Sequence, residues 1–106
     1  MDLQDFRREL DEIDTELLRL FCRRMAIVEE IGVYKIKNGL PVTDPEREKQ
    51  IFLRIAQESP EGLEADAAAL YTAILELSRA KQERMRTEQG SPEKMENVCC
   101  EEGIEK

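Results

Sequence analysis

The sequence contains no histidine and no tryptophan, and aromatic residues make up only 5% of its 106 positions. Without histidine, and with no Cys-x-x-Cys pair among the three cysteines, a structural zinc site is not expected. Few aromatic residues combined with 38% charged residues are typical of a helical protein whose core is small per chain. This composition favours oligomerisation.

Acidic residues outnumber basic ones by 24 to 16, and the resulting net charge of −8 argues against nucleic acid or an anionic membrane as a partner. No apolar run approaches about 18 residues, and no signal peptide or lipidation motif is present, so we expect a cytoplasmic protein. The cysteines fit this expectation. Cys22 is predicted on the outer face of the first helix. Cys99 and Cys100 are adjacent in the sequence, and adjacent cysteines rarely form a disulfide with each other.

Proline is absent from about residues 3–38, which contain a single glycine. Two mainly apolar columns recur there every seven residues and predict one long helix. At 1.5 Å per residue it would be about 54 Å long, whereas a chain of this size has a radius of gyration of about 13 Å, so a partner is expected along it. The columns are Leu3, Leu10, Leu17, Arg24 and Ile31, and Phe6, Ile13, Leu20, Ile27 and Tyr34.

Arg24 breaks the apolar column. Burying a guanidinium there costs on the order of several kcal/mol of folding free energy unless another group pairs with it. A residue that sets the helix register, or an arginine that reaches solvent, would explain Arg24 alone. Lys35 lies eleven residues further on, about 16 Å along the helix, and points the same way. Two cations on one buried side indicate a site for an anion.

Two further helices complete an all-α fold. Asp44 as N-cap and Pro45 at the first position start a short helix over about residues 45–57. A loop follows, and a helix of medium length covers about residues 63–86. Ser78 and Gln82 are predicted at the edge of its apolar stripe. The apolar faces are Ile51, Phe52 and Ile55 in the second helix, and Ala67, Leu70, Ile74, Leu77 and Met85 in the third.

The helical pattern ends after Arg86, because Gly90-Ser91-Pro92 breaks any helix and large apolar residues become rare. Residues 87–106 are therefore predicted to be a disordered acidic tail or a linker, and residues 1–86 a single domain. The polar residues without a structural explanation suit a small polyanion that is held and polarised without covalent chemistry. They are Arg7, Arg24, Lys35, Asp44, Arg47, Glu48, Ser78 and Gln82.

Several short motifs follow one another at a characteristic spacing. By these motifs the chain resembles the all-helical (type II) chorismate mutases across about residues 3–86. The motifs are Phe6-Arg7-Arg8-Glu9-Leu10-Asp11-Glu12-Ile13-Asp14, Leu17-Leu18-Arg19-Leu20, Arg23-Arg24-Met25, Tyr34-Lys35 and Gly39-Leu40-Pro41-Val42-Thr43-Asp44-Pro45-Glu46-Arg47-Glu48.

The resemblance implies an intertwined helical homodimer with two equivalent sites, which converts chorismate to prephenate by a Claisen rearrangement, without cofactor or metal. Arg24 and the partner subunit's Arg7 would grip the two carboxylates of the substrate. Lys35 and Gln82 would donate to the ether oxygen whose bond breaks. The remaining implied roles are binding of the ring hydroxyl by Glu48 with the backbone near Asp44, and support around the carboxylates by Arg47 and Ser78.

Three alternatives remain open at this stage. A purely structural dimerisation module would explain the heptads but not the polar set. A related lyase that removes pyruvate from isochorismate shares the scaffold and the cationic clamp, although Glu48 and the Asp-Pro-x-Arg-Glu motif favour the mutase. The tail also leaves open a regulatory fragment or a fragment of a fused enzyme.

Overall fold

The computed structural model describes residues 1–87, which form three α-helices and no strand. They are α1 (Leu3–Lys37), α2 (Pro45–Glu58) and α3 (Glu64–Thr87). The predicted all-α fold, with one very long, one short and one medium helix, is confirmed. Thr87 still belongs to α3, and the rest of the predicted tail, residues 88–106, lies outside the described residues. The domain limits and the intertwined homodimer stay predictions.

The ends of α1 are fixed by its own side chains and backbone. Asp2 is the N-cap, and its carboxylate accepts from the Asp5 amide at 3.0 Å. The Asp5 carboxylate accepts from the Asp2 amide at 3.1 Å, which completes a capping box. The bond from the Asp2 backbone, followed by one from Arg8, lowers the pKa of Asp5. At the other end Gly39 adopts φ 66°, a conformation that favours glycine, and the chain turns away.

The start of α2 follows the predicted pattern. The Asp44 carboxylate caps the helix by accepting from the Arg47 amide at 3.2 Å, with Pro45 in the first turn. The loop before it is held from both sides, because Arg86 of α3 donates to the Leu40 carbonyl and Lys35 of α1 donates to the Val42 carbonyl. These contacts fix where α2 begins relative to the two longer helices.

Helix α3 packs against both other helices, and its inner face differs from the predicted stripe. Of that stripe only Met85 is buried, while Leu70 and Leu77 are about half exposed. The inner face instead runs through Leu75, Ser78, Gln82 and Met85, which are spaced three or four residues apart. Ser78 and Gln82, predicted at the edge, therefore lie in the centre of the contact with α1.

The predicted outer position of Cys22 is wrong, since only 2% of this residue is exposed. It lies on the same side of α1 as Glu29, seven residues later, and Glu29 pairs with Lys81 of α3 at 3.9 Å. That side borders α3 and does not face away from it.

No helix within residues 1–87 is both long and apolar enough to cross a membrane.

The mainly apolar heptad columns of α1 are left largely uncovered by the described part of the chain. Their apolar members are between 43% and 61% exposed, from Ile31 to Tyr34. The contact with α3 uses neighbouring positions, of which Val28 and Gly32 are buried. Burial of apolar surface is the main source of stability, so a face of this length predicts a partner.

Candidate active site

A cavity of about 360 Å³ lies between the three helices. Seven of the eight predicted site residues line it: Arg24, Lys35, Asp44, Arg47, Glu48, Ser78 and Gln82. Arg7 does not. The lining residues that the sequence analysis did not assign to the site are Val28, Ile31, Val42, Ile51, Leu75 and Arg79.

Arg24 reaches the cavity from the middle of α1. One of its terminal nitrogens donates to the Ser78 hydroxyl at 2.9 Å, and that hydroxyl donates to the Ile74 carbonyl at 2.9 Å. The serine therefore ties the guanidinium to α3 without neutralising it. Within residues 1–87 no carboxylate lies within ion-pair distance of Arg24, so its charge is available to an anion in the cavity.

Lys35 and Gln82 lie side by side at the deeper part of the contact between α1 and α3. The Lys35 ammonium donates to the Val42 carbonyl at 2.8 Å and to Gln82 Oε1 at 3.3 Å. Gln82 Nε2 donates to the Val28 carbonyl at 2.9 Å, and only 6% of Gln82 is exposed. Both donor groups are thus held by the protein before any ligand arrives.

The first turn of α2 supplies the acidic part of the cavity. Asp44 is committed to the helix N-cap, which places Arg47 and Glu48 on the turn that follows. Glu48 Oε2 accepts from a terminal nitrogen of Arg79 at 2.5 Å. Arg79 directly follows Ser78 and lies three residues before Gln82, so it borders the face of α3 that carries these two residues.

The charges of the lining favour a small anion. Four cations, Arg24, Lys35, Arg47 and Arg79, face two carboxylates, Asp44 and Glu48. No group of three or more His, Cys, Asp or Glu side chains in the described residues is arranged to hold a metal ion. Fixed cations and a buried amide can bind an anion and stabilise charge that develops on an oxygen, but they do not form a nucleophile with its base.

Comparison with known proteins agrees with this arrangement. The family model described as "Chorismate mutase type II" matches residues 6–83. The chain belongs to the type II chorismate mutase family. The matched range contains all eight predicted site residues, including Arg7.

Three curated proteins with different names are similar to this member of the chorismate mutase family. The "T-protein" of Haemophilus influenzae is 38% identical over 74 residues, which are 70% of this chain and 18% of that protein. The "Bifunctional chorismate mutase/prephenate dehydratase" of Aquifex aeolicus is 42% identical over 60 residues, 57% of this chain and 17% of that protein. The "Chorismate mutase" of Methanocaldococcus jannaschii is 40% identical over 53 residues, 50% of this chain and 54% of that protein.

The matches thus span less than a fifth of the two longer relatives and about half of the third. No solved structure matches the chain significantly.

Arg7 stands apart from the other residues that the family resemblance implicates. It lies on an exposed part of α1, seventeen residues before Arg24, and this separation is about 25 Å along a helix. The cavity of one chain therefore contains one of the two predicted carboxylate clamps.

Proposed function

We propose that this chain catalyses the Claisen rearrangement of chorismate to prephenate, a step of aromatic amino-acid biosynthesis. The observation that carries the proposal is a set of three fixed donors that line the cavity, Arg24, Lys35 and Gln82. Arg24 is hydrogen-bonded to Ser78, and Lys35 is hydrogen-bonded to Gln82. Two of these donors, Arg24 and Lys35, carry positive charge that no carboxylate of the described residues neutralises.

The chemistry of the reaction suits a site of this kind. A pericyclic rearrangement needs no acid, base or nucleophile, which is consistent with a chain that has no histidine. Its flexible substrate must be folded until the two reacting carbons meet, and this is positioning work. Arg24 offers a planar fork that orients a carboxylate, where a lysine would offer a point charge.

Lys35 and Gln82 act on the ether oxygen. Negative charge builds on that oxygen as its bond to the ring carbon breaks, so donors held at this point stabilise the transition state more than the substrate. The Lys35 ammonium has three hydrogens and uses two of them, and the Gln82 amide has two and uses one. Each side chain therefore keeps one hydrogen for the substrate.

The start of α2 binds the ring hydroxyl. Glu48 accepts from it, assisted by the backbone near Asp44. Arg47 and Ser78 support the carboxylate region, Ser78 by orienting Arg24. All four residues line the same cavity, which supports these roles.

The active form is a homodimer in which the partner subunit's Arg7 supplies the second carboxylate clamp. Its support is the exposed apolar columns of α1, together with the distance between Arg7 and Arg24 on one helix. An isologous pairing of two α1 helices in antiparallel orientation would cover the columns. The cytoplasmic location and the absence of a cofactor remain predictions from the sequence.

The test is an assay of the purified chain with chorismate, following the loss of its absorbance and the appearance of prephenate. We expect saturable turnover far above the uncatalysed rearrangement. Incubation with isochorismate tests the lyase on the same scaffold, for which salicylate and pyruvate would be the products. Release of pyruvate without formation of prephenate would replace the proposed reaction by the lyase, and inactivity with both substrates would favour a structural module.

A further inference from the structure

Arg79 is a cavity-lining cation to which the roles above assign no task. It extends from α3 and donates to Glu48 Oε2 at 2.5 Å, so it joins α3 to the first turn of α2 at the edge of the cavity. The contact is between residues 31 positions apart, and it therefore depends on how the helices pack.

This ion pair is too exposed to solvent to contribute much to the free energy of unfolding. The Arg79 side chain is 36% exposed and that of Glu48 is 27% exposed. Ion pairs with this degree of exposure contribute about 0–1 kcal/mol to the free energy of unfolding. Helices α2 and α3 also pack against each other at other positions, so their contact does not depend on the pair alone.

The pair does determine what Glu48 presents to the cavity. A glutamate has three rotatable bonds, and a bond to one carboxylate oxygen removes most of that freedom. Arg79 occupies one acceptor position of Oε2, and Oε1 keeps both of its positions to accept from a ligand. The guanidinium also compensates the charge of the carboxylate, which would otherwise repel an anionic ligand at short range.

We propose that Arg79 is a positioning residue of this site: it holds the Glu48 carboxylate toward the ring hydroxyl of the substrate and cancels its repulsion of the substrate's two carboxylates. This inference rests on the proposed function and assigns Arg79 no contact with the substrate. Removal of Arg79 should therefore act only through Glu48.

The first experiment compares Arg79→Met, which keeps the length of the side chain, with Arg79→Lys. We expect Arg79→Met to lower kcat/KM by about 10–100-fold, the usual cost of a misplaced binding group, with a larger effect on KM than on kcat. Arg79→Lys should recover part of the loss. The control is Arg54→Met, which removes a 3.3 Å ion pair to Glu58 that lies outside the cavity, and it should leave kcat/KM unchanged.

The second experiment measures whether Arg79 acts through Glu48. In a Glu48→Ala background both the acceptor of the Arg79 hydrogen bond and the carboxylate charge are gone, so adding Arg79→Met should change kcat/KM by less than about twofold. A similar loss in both backgrounds would show that Arg79 contacts the substrate itself and would overturn the proposal. An unchanged kcat/KM in Arg79→Met alone would overturn it too. Urea unfolding of each variant separates these effects from a loss of folding.

Failure of this inference can be told apart from failure of the proposed function. A wild-type chain that does not convert chorismate contradicts the proposed function, and the inference falls with it. A wild-type chain that converts chorismate, with an equally active Arg79→Met variant, contradicts the role of Arg79 alone.

Discussion

At the scale of single residues, the orientation of Gln82 follows from the chemistry of its two neighbours. The Val28 carbonyl can only accept a hydrogen bond, and the Lys35 ammonium can only donate. Only one of the two orientations of the Gln82 amide makes both hydrogen bonds, and in it Nε2 faces Val28 and Oε1 faces Lys35. Neither partner uses its second N–H, so the donor role proposed for Gln82 does not require it to leave its position.

Replacement of Lys35 by alanine should leave a folded and nearly inactive protein. Loss of one donor aimed at developing charge costs about 10²–10³ in kcat, and the donor here is charged. Turnover with chorismate and the helical circular dichroism signal are the two measurements. Lys37→Ala, an exposed lysine two residues further along α1, is the control and should be fully active. A Lys35→Ala variant with a third or more of wild-type turnover would remove Lys35 from the mechanism.

Gln82→Glu should make the activity acid-dependent. An ionised carboxylate only accepts, so the variant can donate to the ether oxygen only when it is protonated. Burial raises the pKa of such a group and the adjacent Lys35 lowers it, around a reference of about 4.3. Turnover should therefore rise as the pH falls from about 8 to 5.

The wild-type protein is the matched control for Gln82→Glu. With no histidine in the chain, no side chain with an ordinary pKa near 6.5 titrates between these pH values, so a flat wild-type profile is expected. A variant with the same flat profile would show that Gln82 does not donate to the ether oxygen.

The residues of the cavity differ in how far the sequence predicted them. Arg24 was predicted because a cation in an apolar column is costly, and Lys35 because it lies eleven residues further on the same side of α1. Asp44 was predicted because a cap followed by proline is a local signal. Arg79 was missed because an arginine on a helix surface is ordinary. Its significance depends on Glu48 approaching from α2, and a contact between separate elements has no local sequence signal.

At the scale of elements, Gly32 sets how closely α1 and α3 approach. A Cβ atom built on Gly32 would lie 2.8 Å from the Met85 sulfur and 3.2 Å from Gln82 Cγ. The methionine end is flexible and can move, but the Gln82 side chain carries a proposed catalytic amide. The heptad pattern predicted the length of α1, yet not which side meets α3, because the exposed columns offer more apolar surface than the side with Gly32.

Gly32→Ala should reduce activity more than stability. Overpacking costs about 1–3 kcal/mol, and the higher helix propensity of alanine returns about 1 kcal/mol. The displaced Gln82 should lower kcat/KM by about tenfold or more. The measurements are urea unfolding and the kinetics of prephenate formation.

A control for Gly32→Ala is Gly62→Ala, at φ 94° in the loop before α3 with no atom near the added Cβ. Its backbone strain costs about 1–2 kcal/mol, while the cavity is untouched. If Gly32→Ala is as active per folded molecule as Gly62→Ala, the close approach at Gly32 does not position Gln82.

At the scale of the whole molecule, one chain is too thin to enclose a core of its own. Its extents are 53 × 34 × 15 Å, and the smallest is little more than one helix diameter of about 10–12 Å. Residues 1–87 bury only five apolar residues below a tenth of their surface: Cys22, Val28, Val42, Leu75 and Met85. The sequence predicted this shape from the length of the heptad pattern, and the same pattern predicts a second helix along α1 without specifying its orientation.

The two carboxylate clamps provide a test of that orientation. Arg7→Ala and Arg24→Ala should each be nearly inactive alone, because each removes one clamp from both sites of a homodimer. After co-refolding in equal amounts, about half of the dimers are mixed, and each mixed dimer has one intact and one doubly damaged site. About a quarter of wild-type activity per chain should return.

The control pairs Arg24→Ala with Lys35→Ala, whose residues line the cavity of one chain, so no mixed dimer has an intact site and no activity should return. Mixed dimers of Arg7→Ala and Arg24→Ala that stay inactive would contradict the placement of Arg7 across the interface.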